Sequence, residues 1–250
     1  MKPRRAAGQG TPEEVWRDWP ELHAFPTITL VELVPPGKRA IVIAPHPDDE
    51  ILMAGGLLQQ LQRQGNKCLL VAASDGEASH PGSATWPPER LRSVRPAESL
   101  TALQQLQIPS LEIKRLGLPD GGLSTCVERL RNQFSDLFRP EDVVFVTWTL
   151  DGHPDHEACG TAAIAVASMR RAKIVEVPVW MWHWANPDDP RVPWDRARRL
   201  MLEADQIQRK RTAMSAFQSQ LDADSDTGRE AVVPPAMLAR VSRRAEIFFL

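Results

Sequence analysis

The 250-residue chain contains no tyrosine and only three cysteines. Cys68, Cys126 and Cys159 are isolated and odd in number, so no disulfide framework and no paired metal-binding or redox spacing can be read from them. They are expected to be inert buried thiols in a reducing compartment. Excess basic charge is also missing: 30 Lys and Arg stand against 32 Asp and Glu, for a formal net charge of -2, and the signs are scattered. Neither nucleic acid nor an anionic membrane is therefore an expected partner. No apolar run has the length of a bilayer span. The start, Met1-Lys2-Pro3-Arg4-Arg5, is basic but no apolar core follows it, so no signal peptide is expected and a cytoplasmic location is.

What the chain does have is an alternation of apolar runs and amphipathic segments. Residues 1–38 carry proline, charge and tryptophan without sustained period and read as an irregular lead-in. From residue 39 to 250 the pattern reads as a single domain, a length that allows one substantial core. Strands are predicted at Ala40–Ala44, Cys68–Ala73, Leu111–Leu116, Val143–Thr147 and Ile174–Val177, with a last one at Glu246–Leu250. Helices are predicted at Asp48–Gln64, Pro88–Leu106, Thr125–Phe138, Asp155–Met169 and Ala204–Ser219. The first has Pro47 near its start, acids in its first turn and Gly65 past its end. Gly55-Gly56 inside it weakens the helix, and close packing against the sheet is the expected reason. The tryptophan-rich stretch Val179–Arg199 reads as a long loop or short strands. Strands alternating with helices imply right-handed crossovers and an α/β fold with a mostly parallel sheet.

Two short runs carry the chemistry: Ala44-Pro45-His46-Pro47-Asp48-Asp49-Glu50 and His153-Pro154-Asp155-His156. Each follows a predicted buried strand, and in an open parallel sheet such strand ends face one crevice where ligands bind. Neutral imidazole and carboxylate are the ligand set of a catalytic zinc with an open position. His46 and Asp49 straddle the strand-to-helix turn and can point together. His156 can complete a His-Asp-His set, leaving Asp48 free as a base and His153 unligated nearby. Either run alone would read as ordinary filler, with Asp48, Asp49 and Glu50 only serving a helix N-terminus. Their joint placement argues otherwise. A glycine-rich phosphate loop is absent from the turn after the first strand, where His-Pro-Asp-Asp would repel phosphate, so a nucleotide-cofactor enzyme is not expected.

The run AIVIAPHPDDEILMAGG with HPDHEA downstream resembles the LmbE-like (PIG-L) family of zinc-dependent deacetylases. The resemblance continues through Arg95-Pro-Ala-Glu98, Leu118-Pro-Asp120-Gly and Ala216-Phe-Gln-Ser-Gln220, from about residue 39 to 220. It implies a Rossmann-like three-layer sandwich that removes the acetyl group from an N-acetylglucosamine-type conjugate, using Zn2+ or another divalent ion such as Fe2+. By the same resemblance His46, Asp49 and His156 are the metal ligands and Asp48 the general base. His153 assists the tetrahedral intermediate, Asp155 orients the neighbouring imidazole, and Arg95 and Asp120 help bind the sugar. Some relatives carry a tyrosine two residues before the first His of the second motif; here that position is Asp151. Oxyanion stabilisation then leans on the metal, His153 or another donor. His183, within Trp180-Met-Trp-His-Trp184, is a further candidate for substrate binding, set against the simpler reading of a packed aromatic segment. The competing functions are an amidase acting on another amide, such as a thiol conjugate, and a catalytically silent sugar-binding protein. An intact Asp48 argues against the latter, since binding alone needs no base.

Overall fold

A computed structural model describes residues 10–250, and the basic start of the chain lies outside the described residues. Before the first strand come three short helices, α1 (Glu13–Arg17), α2 (Pro20–Ala24) and α3 (Leu30–Leu33). At four or five residues each they are too short to show helical periodicity, which is why this stretch looks irregular as sequence. Packing holds them in place. Trp16, Trp19 and Phe25 are buried in one aromatic cluster with Trp148, Trp182 and Trp184, and Trp194 packs against it. α3 has in addition a reciprocal cap, Thr29 with Glu32.

The central elements follow as β1 (Ala40–Ala44), α4 (Asp49–Gln64), β2 (Cys68–Ser74), α5 (Pro88–Gln105), β3 (Glu112–Leu118) and α6 (Val127–Leu137). β4 (Val143–Thr147), α7 (Pro154–Arg170) and β5 (Lys173–Val177) complete the alternating part. The Val179–Arg199 stretch, expected as a long loop or short strands, contains the short helix α8 (Met181–Trp184) and runs into the short strand β6 (Ala197–Met201). The helix expected over residues 204–219 is split into α9 (Ala204–Met214) and α10 (Gln218–Leu221), and α11 (Pro235–Arg240) precedes β7 (Ala245–Phe249).

The seven strands are ordered β3-β2-β1-β4-β5-β7-β6. β3, β2, β1, β4 and β5 run parallel, while β7 pairs antiparallel with both β5 and β6. β1 and β4 are wholly buried, as expected for strands covered on both faces. Alternate residues serve opposite layers. Val42, Leu70 and Phe145 face α4, α5 and the C-terminal helices, whereas Ile43, Val71 and Val144 face α6 and α7. This is an α/β three-layer sandwich with a mostly parallel sheet. The order reverses between β1 and β4, and the crevice opens at the carboxyl ends of these neighbours, the expected ligand position in such a sheet. Among the described residues no helix is long and apolar enough to cross a membrane.

Gly55-Gly56 packs elsewhere than the sequence implies. A Cβ on Gly55 would lie 3.1 Å from the Lys210 side chain of α9, and one on Gly56 would lie 2.3 Å from Leu202. The close approach is to α9 and the β6–α9 connection rather than to the sheet. The backbone N–H groups of Gly56 and Leu57 donate to the Glu246 carboxylate of β7 (2.7 and 2.8 Å), and Lys210 Nζ donates to Leu52 O (3.1 Å) and pairs with Glu246 at 2.6 Å. A buried ion pair is thus stitched into the middle of α4.

Candidate metal centre and cleft

β1 delivers His46 to the crevice through Ala44-Pro45, and α4 begins three residues later. His46 N–H donates to Asp49 Oδ2 (3.0 Å), and His46 Nδ1 lies 3.2 Å from the same oxygen. Between them Asp48 takes φ 121° and ψ -31°, a conformation costly for any residue but glycine. Its surroundings hold it there. Asp48 N–H donates to Glu50 Oε2 (3.0 Å), and Arg95 Nη2 donates to Pro47 O (2.7 Å) and Asp48 Oδ2 (3.1 Å). Arg95 comes from α5, is 3% exposed, and anchors its other amino group on Gly76 O (2.9 Å). Gly76 has φ +72°, and a Cβ there would fall 2.1 Å from Arg95 Nη1. The Asp75-Gly76 turn therefore does more than end β2: it makes room for the guanidinium beside Asp48.

The second run starts from the end of β4. His156 is fully buried at the first turn of α7, and its Nδ1 lies 2.8 Å from Asp151 Oδ2. Asp151 also accepts from the backbone N–H groups of Val179 (2.8 Å), Trp180 (2.9 Å) and Met181 (3.0 Å). All four of these groups donate to one carboxylate, so a neutral His156 keeps its proton on Nδ1 and turns the lone pair of Nε2 toward Asp49. His156 Nε2 is buried without a hydrogen bond, 3.2 Å from Asp49 Oδ2. One ligand atom from each of His46, Asp49 and His156 falls within a 4.8 Å group, as does one from each of His46, His153 and Asp155. An unbonded buried imidazole nitrogen facing a carboxylate and a second imidazole fits a divalent cation by donor chemistry, and the oriented Nδ1 is the support such a ligand needs.

Asp155 is oriented differently from the expectation. Its carboxylate accepts from Gly121 N (2.7 Å) and Leu123 N (3.0 Å) and reaches His46 Nε2 at 3.2 Å, so the imidazole it touches comes from the other motif. Its own N–H donates to His153 Nδ1 (3.3 Å), which leaves the His153 proton on Nε2. Asp120 accepts from Ala78 N (2.8 Å) and stands 3.1 Å from His46 Nε2.

Charge in this cluster is strongly polarised. Burial pushes Asp48 up to about 7, opposed by the Arg95 cation and reinforced by Asp49. Asp49 is held far below the usual carboxylate range, because the His156 and His46 imidazoles outweigh its burial. His156 is raised to about 9: burial works against the proton, and Asp49 and Asp151 overcome it. Burial, with the positive charge of His156 and His46, brings His153 down to about 3. Asp49 and Asp151 thus draw positive charge to His156, as a second proton on the imidazole or as a cation that takes the Nε2 lone pair in its place, and His153 is held neutral.

A cleft of about 300 Å³ opens over these groups. His46, Asp48, Asp49, Arg95, Asp120 and His153 form its polar side. Leu52, Trp180, Val233 and Met237 form an apolar wall opposite. Trp180 stacks on His153, with ring centroids 6.3 Å apart at 26°. His183 does not line the cleft. It is 2% exposed, behind Trp180, with Gly10 packed on its ring. Trp182 and Trp184 belong to the aromatic core, because one turn of helix at α8 turns these rings away from Trp180. Cys159 is buried among apolar residues of α7 and lies in neither ligand group.

Two contributions escape the sequence reading. Asp151 is visible there only as a departure from a pattern, although an acid close before a ligating histidine is a candidate partner for its second nitrogen. Val233 and Met237 lie far along the chain in a segment with no motif, and nothing local marks them.

Residues 41–167 match the family model described as PIG-L: GlcNAc-PI de-N-acetylase. Among curated proteins, the chain is 29% identical over 181 residues to a 1D-myo-inositol 2-acetamido-2-deoxy-alpha-D-glucopyranoside deacetylase of Mycobacterium sp. (strain KMS), covering 61% of this chain and 56% of that protein. The chain therefore spans little more than half the length of that relative. Among solved structures it resembles the conserved protein TT1542 from Thermus thermophilus, at TM-score 0.59 and 25% identity, covering 84% of this chain and 93% of the other. It also shares its fold with the N,N'-diacetylchitobiose deacetylase from Pyrococcus horikoshii, at TM-score 0.55 and 21% identity over 75% and 73% of the two chains.

Proposed function

The chain belongs to the PIG-L family, and from that premise we propose that it is a metal-dependent hydrolase that removes the acetyl group from an N-acetylglucosamine-type amino sugar conjugate. The observation that carries this reading is the setting of His156: Asp151 engages its Nδ1, and its buried, unbonded Nε2 faces Asp49, where a cation can take the place of a proton. His46, Asp49 and His156 would hold the ion, with Zn2+ first and Fe2+ second as candidates on donor type. When bound, such an ion supplies a Lewis acid and a water acidified toward a pKa of roughly 7.

The remaining work falls to side chains of this protein. Asp48, with its pKa near 7, is poised to accept a proton as an attacking water adds to the acetyl carbonyl, and to return it to the departing amine. Arg95 keeps its carboxylate aimed into the cleft. His153 is neutral and bears its proton on Nε2, so it serves the charge developing on the carbonyl oxygen as a hydrogen-bond donor rather than as an acid. That assigns proton return to Asp48. Asp120 offers a polar contact to sugar hydroxyls, while Arg95, expected to share that role, is committed to Asp48, Pro47 O and Gly76 O; the Trp180 face with Val233 and Met237 suits an apolar ring face or an attached group. A silent binding protein has no use for a carboxyl held in a strained backbone conformation at a pKa near 7.

The test is acetate release by purified protein, stripped of metal and refilled with Zn2+ or Fe2+. The panel is N-acetylglucosamine joined to inositol, to a second amino sugar and to a thiol-bearing group. Release from at least one sugar conjugate, dependent on metal, is expected. Full metal occupancy with no acetate from any of them would return the protein to the silent-binding reading.

A further inference from the structure

Behind the apolar wall of the cleft lies a second, smaller cavity of about 50 Å³, lined by residues of α4, β5, α8, α9, α11 and β7. Its lining carries three cations, Lys210, Arg240 and Arg243, and one carboxylate, Glu246. Among the described residues, the only other carboxylate paired with these cations is Glu13 of α1. Glu246 is saturated by Lys210 and the two α4 backbone donors. Glu13 is taken by Arg243, which grips both of its oxygens at 2.7 Å and lies 4.2 Å above the Trp182 ring. Arg240 is left over. Its Nη2 donates to Thr11 O (3.0 Å), its Nε reaches Glu13 only at 3.6 Å, and its Nε and Nη1 are buried without a hydrogen bond. The residue is 9% exposed.

Three cations against two carboxylates leave one positive charge without a counterion of its own. Residues 1–9, outside the described residues, contain no Asp or Glu and bring no side-chain carboxylate. A buried water would satisfy Nη1 but would leave the charge only partly offset by the shared Glu13, and a buried charge short of compensation is strongly destabilising. Burial, together with the Arg243 cation, outweighs the shared Glu13 carboxylate and draws Arg240 down to about 9. The space exceeds the roughly 10–15 Å³ that one water-sized particle needs and suits a compact ion. We propose that this cavity is a structural anion site, taking one small monovalent anion of halide or short carboxylate size against Arg240. Leu52 and Met237 line both this cavity and the cleft, so the ion would brace the wall of the cleft from behind. The inference stands on charge and geometry alone and does not depend on the catalytic reading.

The test uses the full chain. Thermal unfolding is followed as chloride replaces gluconate, which is too bulky to enter, at constant ionic strength. A saturable rise in Tm of a few degrees is expected for the wild type and is expected to vanish in Arg240→Met, which keeps much of the length and loses the charge. Crystals soaked in bromide are expected to show an anomalous peak within hydrogen-bond reach of Arg240 Nη1. Competition of acetate against bromide then separates a carboxylate site from a halide site, either of which supports the proposal. If Arg240→Met fails to fold, the bromide experiment on the wild type decides alone. A Tm indifferent to chloride with no bromide in the cavity, or a chloride effect that survives in Arg240→Met, would overturn it.

Discussion

Replacing Asp151 by asparagine changes one atom and leaves the shape almost untouched, yet no orientation of the new amide satisfies the site. In the parent, Oδ1 accepts from Val179 N and Met181 N, and Oδ2 from Trp180 N and His156 Nδ1. All four donors converge on a residue with no exposed surface. The amide nitrogen must face one pair or the other, setting donor against donor. Two unmet buried donors at about 1–3 kcal/mol each give an expected loss of about 2–6 kcal/mol in stability. If the nitrogen faces His156, the imidazole can recover one bond by moving its proton to Nε2, the atom needed for the metal. Metal affinity is then expected to fall by at least the roughly 10–100-fold typical of a lost supporting partner. Denaturant unfolding reads the first effect, and equilibrium dialysis against Zn2+ on the folded fraction reads the second. An Asp151→Asn protein as stable as its parent, with the same metal affinity, would refute the reasoning.

Four further variants are read from the same geometry. Asp48→Asn is expected to keep its metal while turnover falls by roughly 10²–10⁴-fold, and loss of metal instead would show that Asp48 and Asp49 had exchanged roles. Gly76→Ala places a Cβ where Arg95 Nη1 lies and strains a positive φ, so turnover is expected to fall with intact metal binding and a stability loss of about 1–2 kcal/mol, read by steady-state kinetics and Tm. Trp182→Ala is expected to lose about 3–5 kcal/mol of stability as a member of the aromatic core, whereas Trp180→Ala is expected to fold, retain metal and raise KM more for a large conjugate than for free N-acetylglucosamine. Equal KM changes for the two substrates would remove Trp180 from specificity.

The parts of the molecule legible as sequence are those where local chemistry and tertiary position coincide. β1 and β4 are continuous apolar runs because both faces are covered, and the two His-containing turns follow them directly, so strand ends and ligand candidates can be located together. The antiparallel pair β6 and β7 is only half visible. Arg198 and Arg199 interrupt β6, and its pairing with Ala245–Phe249 bridges more than forty residues of intervening chain. The N-terminal helices are illegible for another reason: their stability lies in Trp16 and Trp19 meeting Trp182 and Trp194, contacts that no local period encodes. His80 shows the same limit. It sits in a Gly/Pro-rich stretch that reads as a surface loop, yet is 5% exposed with Nε2 at 2.6 Å from Ser219 O. At the site itself, residue types announce the donors, while the partners that aim them, Arg95 on Asp48 and Asp151 on His156, emerge only from three-dimensional placement.

The most direct measurement is a titration of metal-free protein with Zn2+ in which bound metal and acetate release are followed in the same sample, on whichever sugar conjugate the protein accepts. If His46, Asp49 and His156 hold one ion that the hydrolysis requires, acetate release rises in proportion to bound metal and levels off at one ion per chain. His46→Ala and His156→Ala, folded by circular dichroism, then neither bind at that stoichiometry nor release acetate. Acetate release that is undiminished in the metal-free protein, or full metal occupancy in either histidine variant, would contradict the assignment.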